Sequence, residues 1–594
     1  MKLIIYDLET YKYDFLFGSL ILDGDKEIVY QTWNIEDIKQ FYNDHKDDSI
    51  FIGWNSKYYD NIVLEAAINS KDPYLMSKKI IQEDHGIWCH LRFYTYDAMN
   101  TGFGSMYSLK LTELIAGKSI DTTEVDFDVD RHLTEDEKRK VEKYNRSDLY
   151  QTLYNFKVVY DQFELRLSII RDWNLDLMRC LDMTGAQIAA EVLQAKRNPA
   201  LEFQPVKPVI YDTLRLENKD ALDFYLNEEF RKEGSYKIIN IGNAELKLAA
   251  GGIHQAIKKC FYERILYLDV SGYYNLVEIN HNLFSRTISK EGVERYKMMY
   301  HQQLELKKID PSSPKRKQFK TLLLSVFGAQ GHEGSPFYDP YICKLIPITG
   351  ELYLLDLLEK IYHLCTIVQS NTDGIMISPN SDEDEKEILR ILDDWLKRTG
   401  FVIKPKYVYN LFQRDVNNYI YQDEHGNIET KGEAVKNYEF SDKSYASGDN
   451  FNAKEPSIIA KGLVDFLVSN VTPEETVEKY KTDLRLFQYA CKKGGFNYLT
   501  YDSTYFPTMA TSSYQIQSPS RVFALNSTDH SGMVYKHGIN KKSGLESKAK
   551  VSNLPDNVFV YNGDITNAYE ELKDKIDYSY YVDKIYDKLN KFIG

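Results

Sequence analysis

The sequence predicts an α/β chain of several domains. Short apolar runs of β type alternate with helical stretches over residues 1–160, and a second β-rich stretch begins near residue 250. Several of the strand-like runs end in a carboxylate, which a buried strand would deliver to its exposed end. At 594 residues the length fits roughly three to five domains of about 150 residues each. The 43% of hydrophobic residues is ample for their cores.

Lys2–Tyr6 reads as a buried strand. Phe15–Leu22 and Glu27–Tyr30 read as a hairpin around Asp23-Gly24, and Ile50–Trp54 as a further strand. Thr134–Phe156 is a helical pattern that opens with Thr134 and Glu137 in capping-box spacing. Pro199–Pro208 reads as a linker, 212–233 as helix, and Ala249-Ala250-Gly251-Gly252 as a turn. Residues 291–330 should form two helices joined around Asp310–Pro314. Leu352–Leu364 reads as helix, and Tyr419–Gln422 with Ile428–Lys431 as a hairpin. Beyond about 440 the pattern is mixed, with helices expected over 456–470 and 473–492. No internal repeat is visible.

The formal charge of −14 argues mildly against a nucleic-acid partner. Local patches decide binding, however, and Lys258-Lys259, Lys315-Arg316-Lys317-Lys320 and Lys404/Lys406 are basic clusters. A solvated surface would look the same. Six cysteines without a CxxC pair suggest a reduced compartment. His85, Cys89 and His90 lie close together, with no evident fourth zinc ligand. No apolar run of about 18 residues and no signal-peptide pattern are present, so the expected location is cytoplasmic.

Asp7 and Glu9 are two apart, which on a strand puts both carboxylates on one face. Asn55–Asp60 follows the strand Phe51–Trp54. Tyr144 and Asp148 are i and i+4 on a helix and share a face. Further on, Asp269 ends the apolar run Ile265–Leu268. Asp373 sits in Asn371-Thr372-Asp373-Gly374 between Ile367–Ser370 and Ile375–Ile377, a tight strand-turn-strand. Carboxylates at strand ends are suited to holding divalent metals against a phosphate. Between the two central aspartates, Arg316 and Lys320 stand one helical turn apart, with Phe327 seven residues past Lys320. Such a face would bind a triphosphate and stack a flat group. An amphipathic helix with a solvated basic side would carry the same pattern.

The first set resembles the three-motif signature of DEDDy-type 3′→5′ exonucleases. That resemblance implies Asp7, Glu9, Asp60 and Asp148 as metal ligands, Tyr144 as the group orienting the attacking water, and Asn55 as a strand contact. The second set resembles the palm and fingers of family B DNA polymerases, most of all small phage replicative members. Asp269–Asn275 is similar to the family's D-x2-SLYP element, Lys320–Gly328 to K-x3-NS-x-YG, Asn371–Asp373 to DTD, and Gly251-Gly252 to its YxGG turn. The chain departs from those motifs at Leu324, Phe327, Tyr273-Tyr274-Asn275 and Asn371.

What the resemblance implies is an RNase H-like exonuclease domain followed by a polymerase right hand. The exonuclease domain takes 1–160 and a helical connection 161–248. The palm takes 249–289 and 336–438, helical-hairpin fingers 290–335, and a thumb and C-terminal region 439–594. Asp269 and Asp373 would hold the polymerase metals, with Lys320 and Arg316 on the triphosphate. Tyr274 would be the steric gate and Phe327 part of the nucleotide site. Gly251, Gly252, Asn371, Tyr419 and Lys431 would contact DNA. The cofactor would be Mg²⁺, two per site, with Mn²⁺ as a substitute. Partners would be primer-template DNA, dNTPs, a single-stranded 3′ end and replisome proteins, with no membrane and a monomeric chain. The short Tyr274–Lys320 stretch implies extension of an ordinary nucleic-acid primer. The alternatives are a stand-alone 3′→5′ exonuclease whose second half only binds DNA, and a non-catalytic replication scaffold.

Overall fold

In a computed structural model of the chain, the opening apolar run forms a strand, Lys2–Thr10, at the centre of a five-stranded sheet. The order is Lys26–Thr32, Phe15–Asp23, Lys2–Thr10, Ser49–Gly53 and Tyr94–Asp97. The first three strands run antiparallel; the last two join in parallel. Alternation along the central strand sorts its side chains. Ile4, Tyr6 and Leu8 enter an apolar cluster with Phe17, Phe51 and Val63. Asp7 and Glu9 take the opposite face, towards the helix Glu135–Val158. That helix carries the expected capping box between Thr134 and Glu137. The structure describes residues 1–593 except 84–85, 104–105, 203, 205, 228–233, 250, 373, 442–443, 445, 447–453 and 540–543.

The chain divides into two compact units. One is Met1–Asp182 with Lys436–Lys588. Its later segment adds a three-stranded sheet, Tyr489–Cys491, Ser520–Ala524 and Val558–Val560, and a four-stranded one from Tyr498–Tyr505, Ala510–Ile516, His530–Ile539 and Glu546–Lys550. Arg521 binds this segment to the first. It is fully buried, donates to the carbonyls of Leu114, Lys118 and Gly563 and to Gln488, and so satisfies the C-terminal end of the helix Leu109–Ala116.

The second unit is Met183–Val435 with Leu589–Gly594. Its seven-stranded antiparallel sheet runs Ile428–Lys431, Asn418–Gln422, Lys406–Asp415, Cys260–Asp269, Gly374–Pro379, Cys365–Asn371, Gln255–Ala256. Helices Lys290–Ile309 and Pro314–Gln330 form the expected helical hairpin, its turn held by Ser312 N–H donating to Asp310 Oδ1 at 3.0 Å. A buried polar chain ties this hairpin to the helix Tyr273–His281. Asn275 Nδ2 donates to the Tyr296 hydroxyl, which donates to Glu278, and Gln330 donates to the other Glu278 oxygen.

Three helical expectations change. Among the described residues of 212–233, helix covers only Lys219–Leu226, because Asn218 caps its start. Over 473–492 the helix Pro473–Tyr480 ends early; Asp483 starts a new turn and Tyr489–Cys491 is strand. Leu352–Leu364 is the last part of a longer helix, Pro340–Ile361, which carries Pro347 in its interior. Among the described residues no helix is long and apolar enough to cross a membrane.

Candidate active sites

In the first unit, residues separated by up to 141 positions converge on one cavity of about 570 Å³. Asp7, Glu9, Asn55, Asp60, Tyr144 and Asp148 all line it. Carboxylate oxygens of Asp7, Glu9 and Asp148 lie within 4.8 Å of one another. Asp60 lines the same space, at the start of the helix Asp60–Ile68. The helix face places Asp148 one turn from Tyr144, as i,i+4 spacing requires. Asn145, on that helix, donates to Asp7 Oδ2 at 2.9 Å. Gly18, the cross-strand partner of Asp7, makes room for this: a Cβ there would fall 1.8 Å from the Asn145 side-chain oxygen.

Crowding and burial raise these acids together. Burial, then Asp148 and Asp60, hold Asp7 well above the usual carboxylate range. Burial and Asp7 do the same for Glu9. Asp60 is pushed up to about 7 by burial and the charge of Asp97. Buried carboxylates at this density are costly without a cation. One cation is supplied by Lys110, whose Nζ lies 2.5 Å from Asp148, 3.1 Å from Glu113 and 4.4 Å from the centre of the Tyr144 ring. The donor set, hard oxygens only, suits Mg²⁺ or Mn²⁺.

Asp97 shapes the near wall. Fully buried, it accepts the N–H groups of Asn55 at 3.1 Å and Lys57 at 3.0 Å. This holds the left-handed Asn55 (φ 61°) and the turn that leads into Asp60.

In the second unit, Asp269 ends its strand and pairs with Gly374 of the neighbouring strand. Asn371 pairs with the same glycine across the hairpin. Asp373 lies outside the described residues, as does His85 of the zinc-like trio. Gly252 approaches this turn, at φ 143°, where a Cβ would meet Thr372 Oγ1 at 2.8 Å; Gly251 faces open space. Asn371 bonds within the turn: its Oδ1 accepts from Thr372 Oγ1 at 3.2 Å, and its side chain bonds His254.

Basic side chains gather round Lys307, near Asp269. Lys406 Nζ stands 3.6 Å from its carboxylate. Lys307 is pulled below the usual lysine range by burial, then by Lys406, Arg316 and Lys320, with Asp269 acting oppositely. Those five side chains therefore share one electrostatic neighbourhood, reached from two helices and two strands. Arg316 also donates to the Pro311 carbonyl at 2.7 Å. Tyr274 and Phe327 stack on each other, ring centres 4.2 Å apart. Leu324, between Lys320 and Phe327, is 62% exposed. Tyr419 is buried against Ile265, Val368 and Met376 in the sheet core, with exposed Lys431 opposite it on the next strand.

Sequence reasoning missed Lys110, Asp97 and Lys307. Each lies in a run that reads as plain helix or strand end, and the contact that ties it to the site reaches 38 residues along the chain for Lys110, to Asp148, and 42 for Asp97, to Asn55. No sequence signal marks them.

A comparison with protein-family profiles finds no match, and neither does a comparison with curated proteins. Among solved structures the chain is similar to the family B DNA polymerase from the hyperthermophilic archaeon Pyrobaculum calidifontis. That similarity is at 14% identity and a TM-score of 0.43, covering all of this chain and 78% of that one.

Proposed function

We propose that the chain is a template-directed DNA polymerase with a 3′→5′ exonuclease site for proofreading. The observation that carries the reading is the convergence of Asp7, Glu9, Asn55, Asp60, Tyr144 and Asp148 on one cavity. The second unit supports it with a cluster of opposite character, Lys307 with Lys406, Arg316 and Lys320 and the carboxylate of Asp269, and with the stacked pair Tyr274 and Phe327.

In the nuclease site Asp7, Glu9, Asp60 and Asp148 would hold two divalent cations, which when bound supply an acidified water and charge neutralisation at the scissile phosphate. Lys110 pins Asp148, and Tyr144 presents its hydroxyl one helical turn away to orient the water. In the polymerase site Asp269 and Asp373 would hold the corresponding pair. Lys320, Arg316, Lys307 and Lys406 neutralise the triphosphate as a primer 3′-hydroxyl attacks the α-phosphate. Tyr274, braced by Phe327, limits room at the sugar 2′ position. Gly251, Gly252 and Asn371 stand where the template and primer end pass.

Primer extension tests the reading. With dNTPs and Mg²⁺, a labelled primer on a template should lengthen; without dNTPs it should shorten from its 3′ end. Shortening without lengthening under any dNTP supply would leave only the stand-alone exonuclease.

A further inference from the structure

The orientation of Asn55 in the acidic cavity is set from behind, by a chain of hydrogen bonds with only one consistent direction. The chain begins at Asp97, which is fully buried and does not line the cavity. Its Oδ1 accepts the N–H groups of Asn55, Met99 and Asn100 at 3.0–3.1 Å, and its Oδ2 accepts that of Lys57 at 3.0 Å. A carboxylate surrounded by donors acts as acceptor only. Asn100 Nδ2 lies 2.7 Å from Asp97 Oδ2, so the end of Asn100 facing Asp97 is its amide nitrogen. The same nitrogen lies 3.3 Å from Asn55 Oδ1. Asn100 is thus a donor to Asn55, and the oxygen of Asn55 is the end turned to the wall. The amide nitrogen, with its two N–H groups, is the end left for the cavity that Asn55 lines.

We propose that Asn100 is a positioning residue that makes Asn55 a dedicated donor, so that the cavity takes a hydrogen-bond acceptor of a nucleic-acid strand at that point. This rests on the nuclease reading of the cavity. The acceptor is a phosphodiester oxygen or a base carbonyl; both present the same lone-pair chemistry. Without Asn100 the Asn55 amide is free to turn over and offer its oxygen, which repels either group.

The test uses the full chain and oligothymidylate. Affinity is read by fluorescence anisotropy in chelator, and kcat and KM for degradation are read with Mg²⁺. Asn55→Ala and Asn100→Ala should each weaken binding about tenfold, with the loss in KM and a smaller change in kcat. Because Asn100 acts through Asn55, the double variant should bind no more weakly than Asn55→Ala alone. Asn55→Asp keeps the bond from Asn100 and tolerates the left-handed backbone, yet gives the cavity a carboxylate; it should bind worse than Asn55→Ala. An oligomer with abasic 3′-terminal units separates the acceptors: an undiminished effect assigns the phosphodiester, a vanished one the base. Wild-type binding by Asn100→Ala, additive losses in the double variant, or Asn55→Asp binding as well as Asn55→Ala would each overturn the proposal. If Asp7→Ala/Glu9→Ala stops degradation while Asn100→Ala matches wild type, this inference alone is lost. If the wild-type chain neither binds nor degrades the oligomer, the nuclease reading falls and takes this one with it.

Discussion

The two acidic centres are built on opposite electrostatic plans. In the first unit, buried carboxylates crowd one another, and Lys110 answers Asp148 at 2.5 Å. In the second, Asp269 keeps a side chain 30% exposed and stands 3.6 Å from Lys406, and Lys307 feels Asp269 together with Lys406, Arg316 and Lys320. An acid-rich cavity is prepared for cations and leaves the substrate phosphate to be held through them. A base-rich one is prepared for a polyanion and needs few carboxylates. On the proposed function, the same chemistry, phosphoryl transfer to or from a nucleic-acid end, would meet two different ligand problems: one phosphodiester in the first case, a triphosphate in the second.

The comparison breaks most visibly if the two sets are not separable. Asp7→Ala with Glu9→Ala should lower degradation of single-stranded primers at least about a thousandfold and leave extension intact, and Asp269→Ala should do the reverse. Gel assays of both activities on both variants decide it; joint loss in either folded variant would mean that the centres do not work apart. Lys110→Ala comes next. Freed from its lysine, Asp148 loses its fixed position, and degradation should fall roughly 10- to 100-fold with extension unchanged. Lys307→Ala tests the other plan. One cation fewer should raise the KM for dNTP about tenfold and flatten the dependence of that KM on salt, with degradation unchanged; a kcat effect alone would remove Lys307 from the triphosphate cluster.

The smallest effect concerns Glu278, which braces the helical hairpin from below. Burial lifts its carboxyl to about 7, whereas an unfolded glutamate titrates near ~4.3. The fold binds the extra proton between those values, so this group's contribution is fully present below the lower value and is lost as pH rises through about 7. Glu278→Gln should therefore gain on the wild type by a few degrees in Tm between pH 5 and pH 8. A Tm difference that is flat across that range would show Glu278 ionised in the fold.

The parts legible in the sequence were those set by local rules. The strand Lys2–Thr10, the capped helix after Thr134 and the hairpin around Asp310 follow from periodicity and capping chemistry within a few residues. Asp7 with Glu9 and Tyr144 with Asp148 could be paired because strand and helix periodicity put each pair on one face, whereas Asp60 was picked through the resemblance of its motif. The C-terminal strands were not legible: runs such as Ala510–Ile516 are polar and exposed, with no alternation to mark a buried face. Lys110 and Asp97 were hidden for another reason. Their roles come from partners distant in the chain, Asp148 for the first and Asn55 for the second, and a lysine or aspartate in a plain run carries no sign of them. Tyr419 shows the converse: the family resemblance implied a DNA contact there, and the tertiary fold packs its side chain into the sheet core.

Arg521 gives the molecule a schedule. The carbonyls of Leu114 and Lys118 close the helix that carries Lys110, and they wait for a guanidinium made about 400 residues later. At roughly 5–20 residues per second, a ribosome delivers it tens of seconds after the helix has emerged. During that interval the first unit exists without its finished support, while residues 183–435, all of the second unit but its last few residues, have already been made. In the order of synthesis, then, the body of the second unit is made before the support of the first arrives.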